Sequence, residues 1–150
     1  MPCCHADFAA IDGGDRGFTV GMPTFTFGAD VLSEAGDSAR ELGLSRVALF
    51  TDARMKSSEF VATVKASLVA AKVDVALYDE VVVEPTDASF QDAARFAADG
   101  KFEGYVSVGG GSVMDTCKAA NLYATHPADF MTYVNAPIGG GQRVPGRVKP

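Results

Sequence analysis

The 150-residue sequence is poor in basic residues and has no long apolar run. Acidic residues outnumber lysines and arginines by 19 to 13, which gives a net charge of −6. An acidic protein lacks the basic face that binds nucleic acid, so we expect no nucleic-acid partner. A membrane-spanning helix needs about 18 consecutive apolar residues, and we expect none because no such run occurs.

Cysteine is also scarce. The sequence has three cysteines, Cys3, Cys4 and Cys117, of which two are adjacent. This pattern does not suggest a disulfide framework and favours a reducing compartment. The first part of the sequence has too many acids for a transit peptide and no apolar core for a secretory signal. We therefore expect a cytoplasmic protein, or a protein of the mitochondrial matrix if a transit peptide is missing from this sequence.

Only two histidines are present, His5 and His126, and they are far apart in the sequence. Cys3-Cys4-His5 has the composition of a metal cluster, but adjacent cysteines chelate one ion poorly and no fourth ligand is near. Neither G-x-S-x-G nor H-E-x-x-H occurs, so no serine hydrolase or zinc peptidase motif is present. The residues by themselves therefore predict no metal site and no catalytic group.

Three short apolar runs recur about every 30 residues, which is the size of a βαβ unit. They begin near Arg46, Val73 and Tyr105, with helical periodicity between them. Strands that are apolar throughout are typical of a parallel sheet covered on both faces. The pattern predicts a doubly wound α/β fold with a mainly parallel sheet, which binds ligands at the carboxyl ends of its strands. We assign residues 1–17 to a loose N-terminal arm and residues 18–150 to the α/β domain.

Capping residues indicate where the helices begin and end. A first helix follows Gly28, and Gly43 is placed to end it. Its expected inner face consists of Val31, Leu32, Ala35, Ala39 and Leu42. The later helices are predicted to start at Ser57 or Ser58, at Thr86 or Asp87, and at Ser112. The third of the four helices is expected to end just before Gly100.

The most informative segment joins the third strand to the last helix, and it reads Val108-Gly109-Gly110-Gly111-Ser112-Val113-Met114-Asp115. Three glycines leave the backbone free of side chains, so a ligand can approach it closely. The free N–H groups and the positive dipole end of the following helix bind phosphate. A tight turn with a capping box from Ser112 to Asp115 explains the same residues, and the two interpretations are compatible. The spacing matches neither G-x-G-x-x-G nor the P-loop.

Asp52 directly follows the first apolar run. A carboxylate at this position can accept hydrogen bonds from ribose hydroxyls and repel a 2′-phosphate, which favours NAD over NADP. An aspartate that caps a short turn is the simpler alternative. The usual dinucleotide fold places the acid about 20 residues after the glycines, whereas Asp52 precedes them. If both bind one nucleotide, the strand order must differ from that fold. For Glu84-Pro85-Thr86, after the second run, we expect a structural role.

The longer stretch from Gly109 to Asn121 (GGGSVMDTCKAAN) resembles the cofactor-binding segment of the iron-containing (group III) alcohol dehydrogenases. Three further stretches resemble the hydroxyacid-oxoacid transhydrogenase branch of that family, and they are residues 3–8 (CCHADF), 83–87 (VEPTD) and 119–124 (AANLYA). The resemblance covers nearly the whole chain. It implies a dehydroquinate-synthase-like N-terminal nucleotide-binding domain that binds NAD. It assigns Thr51-Asp52 to the adenosine ribose. It assigns to the pyrophosphate Gly110, Gly111, Ser112, Val113, Met114 and Asp115.

The resemblance also implies an oxidoreductase that depends on NAD and a divalent metal, iron or zinc. The full enzyme would oxidise 4-hydroxybutyrate to succinic semialdehyde and reduce 2-oxoglutarate to 2-hydroxyglutarate, so its partners are small-molecule alcohols, hydroxyacids and oxoacids. One aspartate and three histidines of a C-terminal helical domain, absent from this sequence, would hold the metal. We therefore expect an incomplete domain without activity of its own; a homo-oligomer remains open. The alternatives are a general iron-type alcohol dehydrogenase acting on small primary alcohols and a non-catalytic nucleotide-binding module.

Overall fold

The computed structural model describes residues 24–150, so the arm expected over residues 1–17 lies outside the described residues. Strands and helices alternate along the described chain, as the repeat of apolar runs predicts. The strands are β1 (Arg46–Asp52), β2 (Asp74–Val81) and β3 (Gly104–Ser107). The α-helices are α1 (Ala35–Glu41), α2 (Glu59–Ala70), α3 (Asp87–Gly100) and α4 (Gly111–Thr125), and 3₁₀ helices cover Val31–Glu34 and Phe130–Thr132.

The described strands form a parallel sheet in the order β2-β1-β3. In the centre of the sheet, Leu49 of β1 pairs with Leu77 of β2 on one side and with Val106 of β3 on the other. The central strand is buried continuously from Val47 to Thr51. A strand that is buried on both faces must be apolar throughout, which is the pattern that the sequence shows.

Helices cover both faces of the sheet, and this confirms the doubly wound α/β fold. Ala48 and Phe50 of β1 pack with buried residues of α3 and α4. Val47 and Leu49, which point the other way, pack with buried residues of α1 and α2. On the α3 and α4 side, the rings of Phe50 and Tyr78 lie 5.0 Å apart between centroids. Such aromatic pairs stabilise a core by about 1 kcal/mol beyond the area that they bury.

Two of the predicted helix starts are confirmed. The Ser58 hydroxyl accepts a hydrogen bond from the N–H of Val61, 3.3 Å away, at the start of α2. Thr86 caps α3 through a reciprocal box. The Thr86 hydroxyl accepts from the Ser89 N–H, and the Ser89 hydroxyl accepts from the Thr86 N–H. These caps are local interactions between near neighbours, so the sequence pattern is sufficient to find them.

The inner face predicted for the first helix is partly wrong. Leu32 and Leu42 are 37% and 60% exposed, and α1 instead contacts α2 through Gly36 and Ala39, which are buried. A Cβ added to Gly36 would lie 2.2 Å from the carbonyl oxygen of Ser67, so only glycine permits this close approach. The predicted end at residue 43 is confirmed, since Gly43 has a φ of 72°.

The prediction that α3 ends before Gly100 is also wrong. The helix includes Gly100, and the left-handed residue that follows it is Lys101, with a φ of 50°. A Cβ added to Gly100 would lie 2.1 Å from the ring of Phe102, which is buried. Glycine is therefore required at this position for packing and not for chain reversal.

The last described residues lie along the free edge of β3. The Tyr105 N–H donates to the Pro150 carbonyl over 2.8 Å, and the Asn121 side-chain amide donates to the Lys149 carbonyl over 2.8 Å. Within residues 24–150, no helix has the length and apolar character needed to cross a membrane.

Candidate nucleotide-binding site

Asp52 and the glycine segment meet at one edge of the sheet. Asp52 ends β1, and the glycine loop, residues Gly109–Gly111, follows β3. Because β1 and β3 are parallel neighbours, their carboxyl ends lie side by side. This order differs from that of the usual dinucleotide fold, in which the acid follows the glycines along the chain. The parallel pairing of β1 with β3 therefore places Asp52 and the glycine loop at one edge of the sheet, although the acid comes first along the chain.

The helix α4 begins two residues earlier than the capping pattern predicts. Its N-cap is Gly110, which offers no side chain, so the prediction that Ser112 caps the helix with Asp115 is wrong. The Ser112 hydroxyl instead accepts a hydrogen bond from the N–H of Glu84, 3.3 Å away in the loop after β2. Asp115 is exposed on the first turns of α4. The Ser112 hydroxyl, which the local pattern assigned to the cap, therefore makes a contact between distant parts of the chain instead.

The start of α4 has free N–H groups and open space. Among residues 24–150, no oxygen accepts from the N–H of Gly111 or Ser112, whereas the N–H groups of Val113 and Met114 both donate to the Gly110 carbonyl. A Cβ added to Gly110 or Gly111 would have no heavy atom within 4 Å. Unpaired donors at the positive end of a helix attract anions. These residues therefore fit a pyrophosphate.

Val113 and Met114 occupy different positions relative to this space. Val113 is 1% exposed and packs directly under the loop, since a Cβ added to Gly109 would lie 2.5 Å from Val113 Cγ2. Met114 is 44% exposed on the same turn of α4. The side chain of Val113 therefore supports the loop from the core, while that of Met114 faces solvent.

Asp52 is half-buried at the end of β1 and has a structural role. Its Oδ1 accepts hydrogen bonds from the N–H groups of Arg54 and Met55, at 2.8 and 3.0 Å. This is the turn-capping role that the simpler interpretation predicts. A carboxylate can accept about four hydrogen bonds, so its second oxygen keeps the capacity to bind ribose hydroxyls.

Thr51 does not face the ligand space. It is fully buried, and its hydroxyl donates to the Val108 carbonyl over 2.8 Å. The expected contact between the Thr51 side chain and an adenosine ribose is therefore wrong, because that side chain is buried and bonds to Val108. Position in a strand does not reveal which of two adjacent polar residues points inward, so the sequence carries no signal for this bond.

The described residues contain no cluster of three or more histidines, cysteines or acids that could hold a metal ion. The Cys3-Cys4-His5 segment lies outside them. Cys117 is buried on α4, and burial raises the pKa of its thiol to about 12. A divalent metal therefore does not fit the part of the chain that the structure describes.

Curated proteins resemble this chain in sequence. The chain is 45% identical over 137 residues to mitochondrial hydroxyacid-oxoacid transhydrogenase of Bos taurus, and covers 29% of that protein. It is 48% identical over 134 residues to the Xenopus tropicalis enzyme of the same name, again covering 29% of it. These alignments take in 91% and 89% of the chain. The chain thus spans less than a third of the length of the curated relatives it matches.

Solved structures and a family model complete the comparison. NADH-dependent butanol dehydrogenase A from Thermotoga maritima has the same fold, with a TM-score of 0.72 and 22% identity. The match covers 86% of this chain and 33% of that one. The model of the iron-containing alcohol dehydrogenases matches residues 23–148. The chain therefore belongs to the iron-containing alcohol dehydrogenase family.

Proposed function

We propose that the glycine loop and the first turn of α4 bind the pyrophosphate of NAD, and that Asp52 binds its adenosine ribose. The observation that carries this proposal is the pair of free N–H groups on Gly111 and Ser112 at the carboxyl edge of the sheet, beside the open space around Gly110 and Gly111. The contacting groups proposed from the sequence are Asp52, Gly110, Gly111, Ser112, Val113, Met114 and Asp115. For Val113, whose side chain is buried, the contribution is support of the loop.

Family membership supports the choice of ligand. It implies NAD(H) and a divalent metal as cofactors and small molecules as substrates. Bound NAD supplies a hydride acceptor. The residues of this chain bind and orient it, because the α4 dipole and its free N–H groups offset the negative charge of the phosphates. The Asp52 carboxylate repels a 2′-phosphate, so NADP should bind less well.

For the whole protein, we propose the activity that the names of its relatives state, hydroxyacid-oxoacid transhydrogenase. In the direction proposed from the resemblance, 4-hydroxybutyrate loses a hydride and a proton to become succinic semialdehyde. The hydride then passes to the keto carbon of 2-oxoglutarate, which takes up a proton and becomes 2-hydroxyglutarate. Residues 18–150 would form the nucleotide-binding domain. The metal would bind in a further part of the whole protein, which corresponds to the region of the relatives that this chain does not cover.

The relatives are named as mitochondrial proteins, and this supports the mitochondrial matrix over the cytoplasm as the proposed location. Fusion of the gene to a fluorescent protein in its native cell tests the assignment. Fluorescence that coincides with a matrix marker would support it, and diffuse fluorescence through the cytosol would contradict it.

Calorimetric titration of the 150-residue chain with ADP-ribose, NAD and NADP tests the proposed site. We expect ADP-ribose and NAD to bind and NADP to bind more weakly. We also expect no oxidation of 4-hydroxybutyrate by this chain alone, with or without added iron or zinc. Absence of ADP-ribose binding would refute the nucleotide site, and turnover by the chain alone would refute the division of roles.

A dependence on the hydride acceptor separates the two enzymatic alternatives. In a protein of the full length of the relatives, a transhydrogenase should oxidise 4-hydroxybutyrate only when 2-oxoglutarate is present to take the hydride. A general alcohol dehydrogenase should instead reduce free NAD with small primary alcohols. Rapid NADH accumulation without 2-oxoglutarate would therefore contradict the proposed activity.

A further inference from the structure

Thr51 holds the residue that leads into the glycine loop. Its hydroxyl, which is fully buried, donates to the carbonyl of Val108 over 2.8 Å. The N–H of Val108 in turn donates to the carbonyl of Phe50 over 2.9 Å. The end of β1 therefore hydrogen-bonds both the N–H and the carbonyl of Val108, the first residue after β3. Buried hydroxyls are nearly always hydrogen-bonded. Among residues 24–150, the partner of this hydroxyl is Val108, which directly precedes the glycine loop.

The bond to Val108 fixes the direction of the next N–H group. The Val108 carbonyl and the Gly109 N–H belong to one planar trans peptide, so they point in opposite directions. While Thr51 holds the carbonyl toward the core, the Gly109 N–H must point away from it. Without that bond, the permissive backbone of glycine lets the peptide rotate and present its carbonyl oxygen instead. A carbonyl oxygen repels the anion that an N–H group attracts.

The helix α4 fixes the position of the same loop. Gly109 rests on Val113, whose Cγ2 would lie 2.5 Å from an added Cβ. The packing against Val113 leaves no space for the loop to move inward. The apolar side chain of Val113 forms no hydrogen bond, so this packing does not set which edge of the Val108–Gly109 peptide faces outward. The position of the loop and the orientation of its peptide are thus controlled by different residues.

We propose that Thr51 is a positioning residue, which keeps the Val108–Gly109 peptide in the orientation that accepts an anion. This inference rests on the proposed binding of the NAD pyrophosphate at the loop. Thr51 itself touches no ligand, because it is buried beneath the edge of the sheet. Its effect should therefore be seen in the loop even when no nucleotide is present.

Three variants of the 150-residue chain test the proposal. Thr51→Val removes the hydroxyl at constant volume, and Thr51→Ser restores it. Thr116→Val is the matched control, since Thr116 is 1% exposed and its hydroxyl has no partner among residues 24–150. The measurements are the Gly109 amide resonance and its hydrogen exchange in the free chain, the affinity for ADP-ribose, and thermal unfolding.

We expect Thr51→Val to shift the Gly109 resonance, speed its exchange and weaken ADP-ribose binding about tenfold. Thr51→Ser should restore both properties, and Thr116→Val should change neither. An unchanged Gly109 amide in Thr51→Val would overturn the proposal. So would a Thr116→Val variant that weakens binding equally, because the effect would then be a general one of core substitution. If the unmodified chain does not bind ADP-ribose, the proposed function fails, while the Gly109 amide still decides the role of Thr51.

Discussion

The backbone nitrogen of Glu84 lies 3.3 Å from the hydroxyl oxygen of Ser112, so the loop after β2 is joined to the first turn of α4. Glu84 has a φ of 55°, in the left-handed region that is unfavourable for residues with a side chain. The bond to Ser112 helps to hold this conformation. A second hydrogen bond, from Thr51 to Val108, joins the end of β1 to the segment after β3. Together the two bonds connect the carboxyl ends of all three described strands.

Replacement of Ser112 by alanine should loosen this connection. A hydroxyl that accepts from the Glu84 N–H can still donate its own proton to a phosphate oxygen, so Ser112→Ala removes both interactions. We expect faster hydrogen exchange at the Glu84 amide and ADP-ribose binding that is weaker by about three- to tenfold. Ser38→Ala, at an exposed position of α1, should change neither quantity. A Glu84 amide that exchanges at the same rate in Ser112→Ala would contradict the coupling.

A negative charge at Gly111 should abolish nucleotide binding without unfolding the protein. A Cβ at this position meets open space, and an acidic residue in the first turn of a helix is stabilising. The carboxylate of Gly111→Asp would occupy and repel the place of the phosphate. Gly111→Ala keeps the N–H group and adds no charge, so it should bind ADP-ribose better than Gly111→Asp. Calorimetry gives the affinity and thermal unfolding checks the fold; unchanged binding in Gly111→Asp would refute the placement of the phosphate.

The sequence predicts those features that depend on neighbours along the chain. The runs at β1, β2 and β3 are apolar because both faces of the sheet are covered, and this pattern is visible without a structure. The cap of α3 at Thr86 is likewise local. The approximate location of the proposed site rests on the same reasoning, because ligands bind at the carboxyl ends of parallel strands.

Features that depend on contacts between distant residues are missed. Ser112 has the right side chain to cap a helix, but its hydroxyl accepts from Glu84, 28 positions earlier in the chain. Gly36 is required by the carbonyl of Ser67 on another helix, and nothing in the local pattern around it indicates that approach. Such contacts arise only when the elements pack, so they cannot be found from spacing alone.

The end of α3 allows a test with two adjacent substitutions of opposite sign. Gly100→Ala should destabilise the protein by about 1–3 kcal/mol, because the new Cβ would overlap the buried ring of Phe102. Lys101→Gly should stabilise it by about 1 kcal/mol, because glycine adopts the left-handed φ of 50° without strain. Denaturant unfolding measures both changes. If Gly100→Ala is neutral or stabilising, as helix propensity alone would predict, the packing role of this glycine is wrong.

Two half-buried tyrosines should respond differently to loss of their hydroxyls. The Tyr105 hydroxyl has no hydrogen-bond partner among residues 24–150, whereas the Tyr123 hydroxyl donates to the Phe130 carbonyl. Removing an unpaired buried hydroxyl relieves a desolvation cost, while removing a paired one loses about 1 kcal/mol. At neutral pH, we therefore expect Tyr105→Phe to be neutral or stabilising and Tyr123→Phe to be destabilising in denaturant unfolding. Equal losses in the two variants would contradict the difference.

Tyr105 should also lower the free energy of unfolding at alkaline pH. Burial, with a smaller effect of the nearby Cys117, raises the pKa of Tyr105 to about 12. A phenol in the unfolded chain ionises near pH 10, so above about pH 10 the unfolded state loses its proton while the folded state keeps it. Ionisation of Tyr105 therefore leaves the free energy of unfolding unchanged below about pH 10 and lowers it as the pH rises toward 12. Tyr105→Phe should show a shallower fall in the free energy of unfolding between about pH 10 and 12 than the unmodified chain. Identical pH profiles for the two proteins would mean that Tyr105 is not protected from ionisation by the fold.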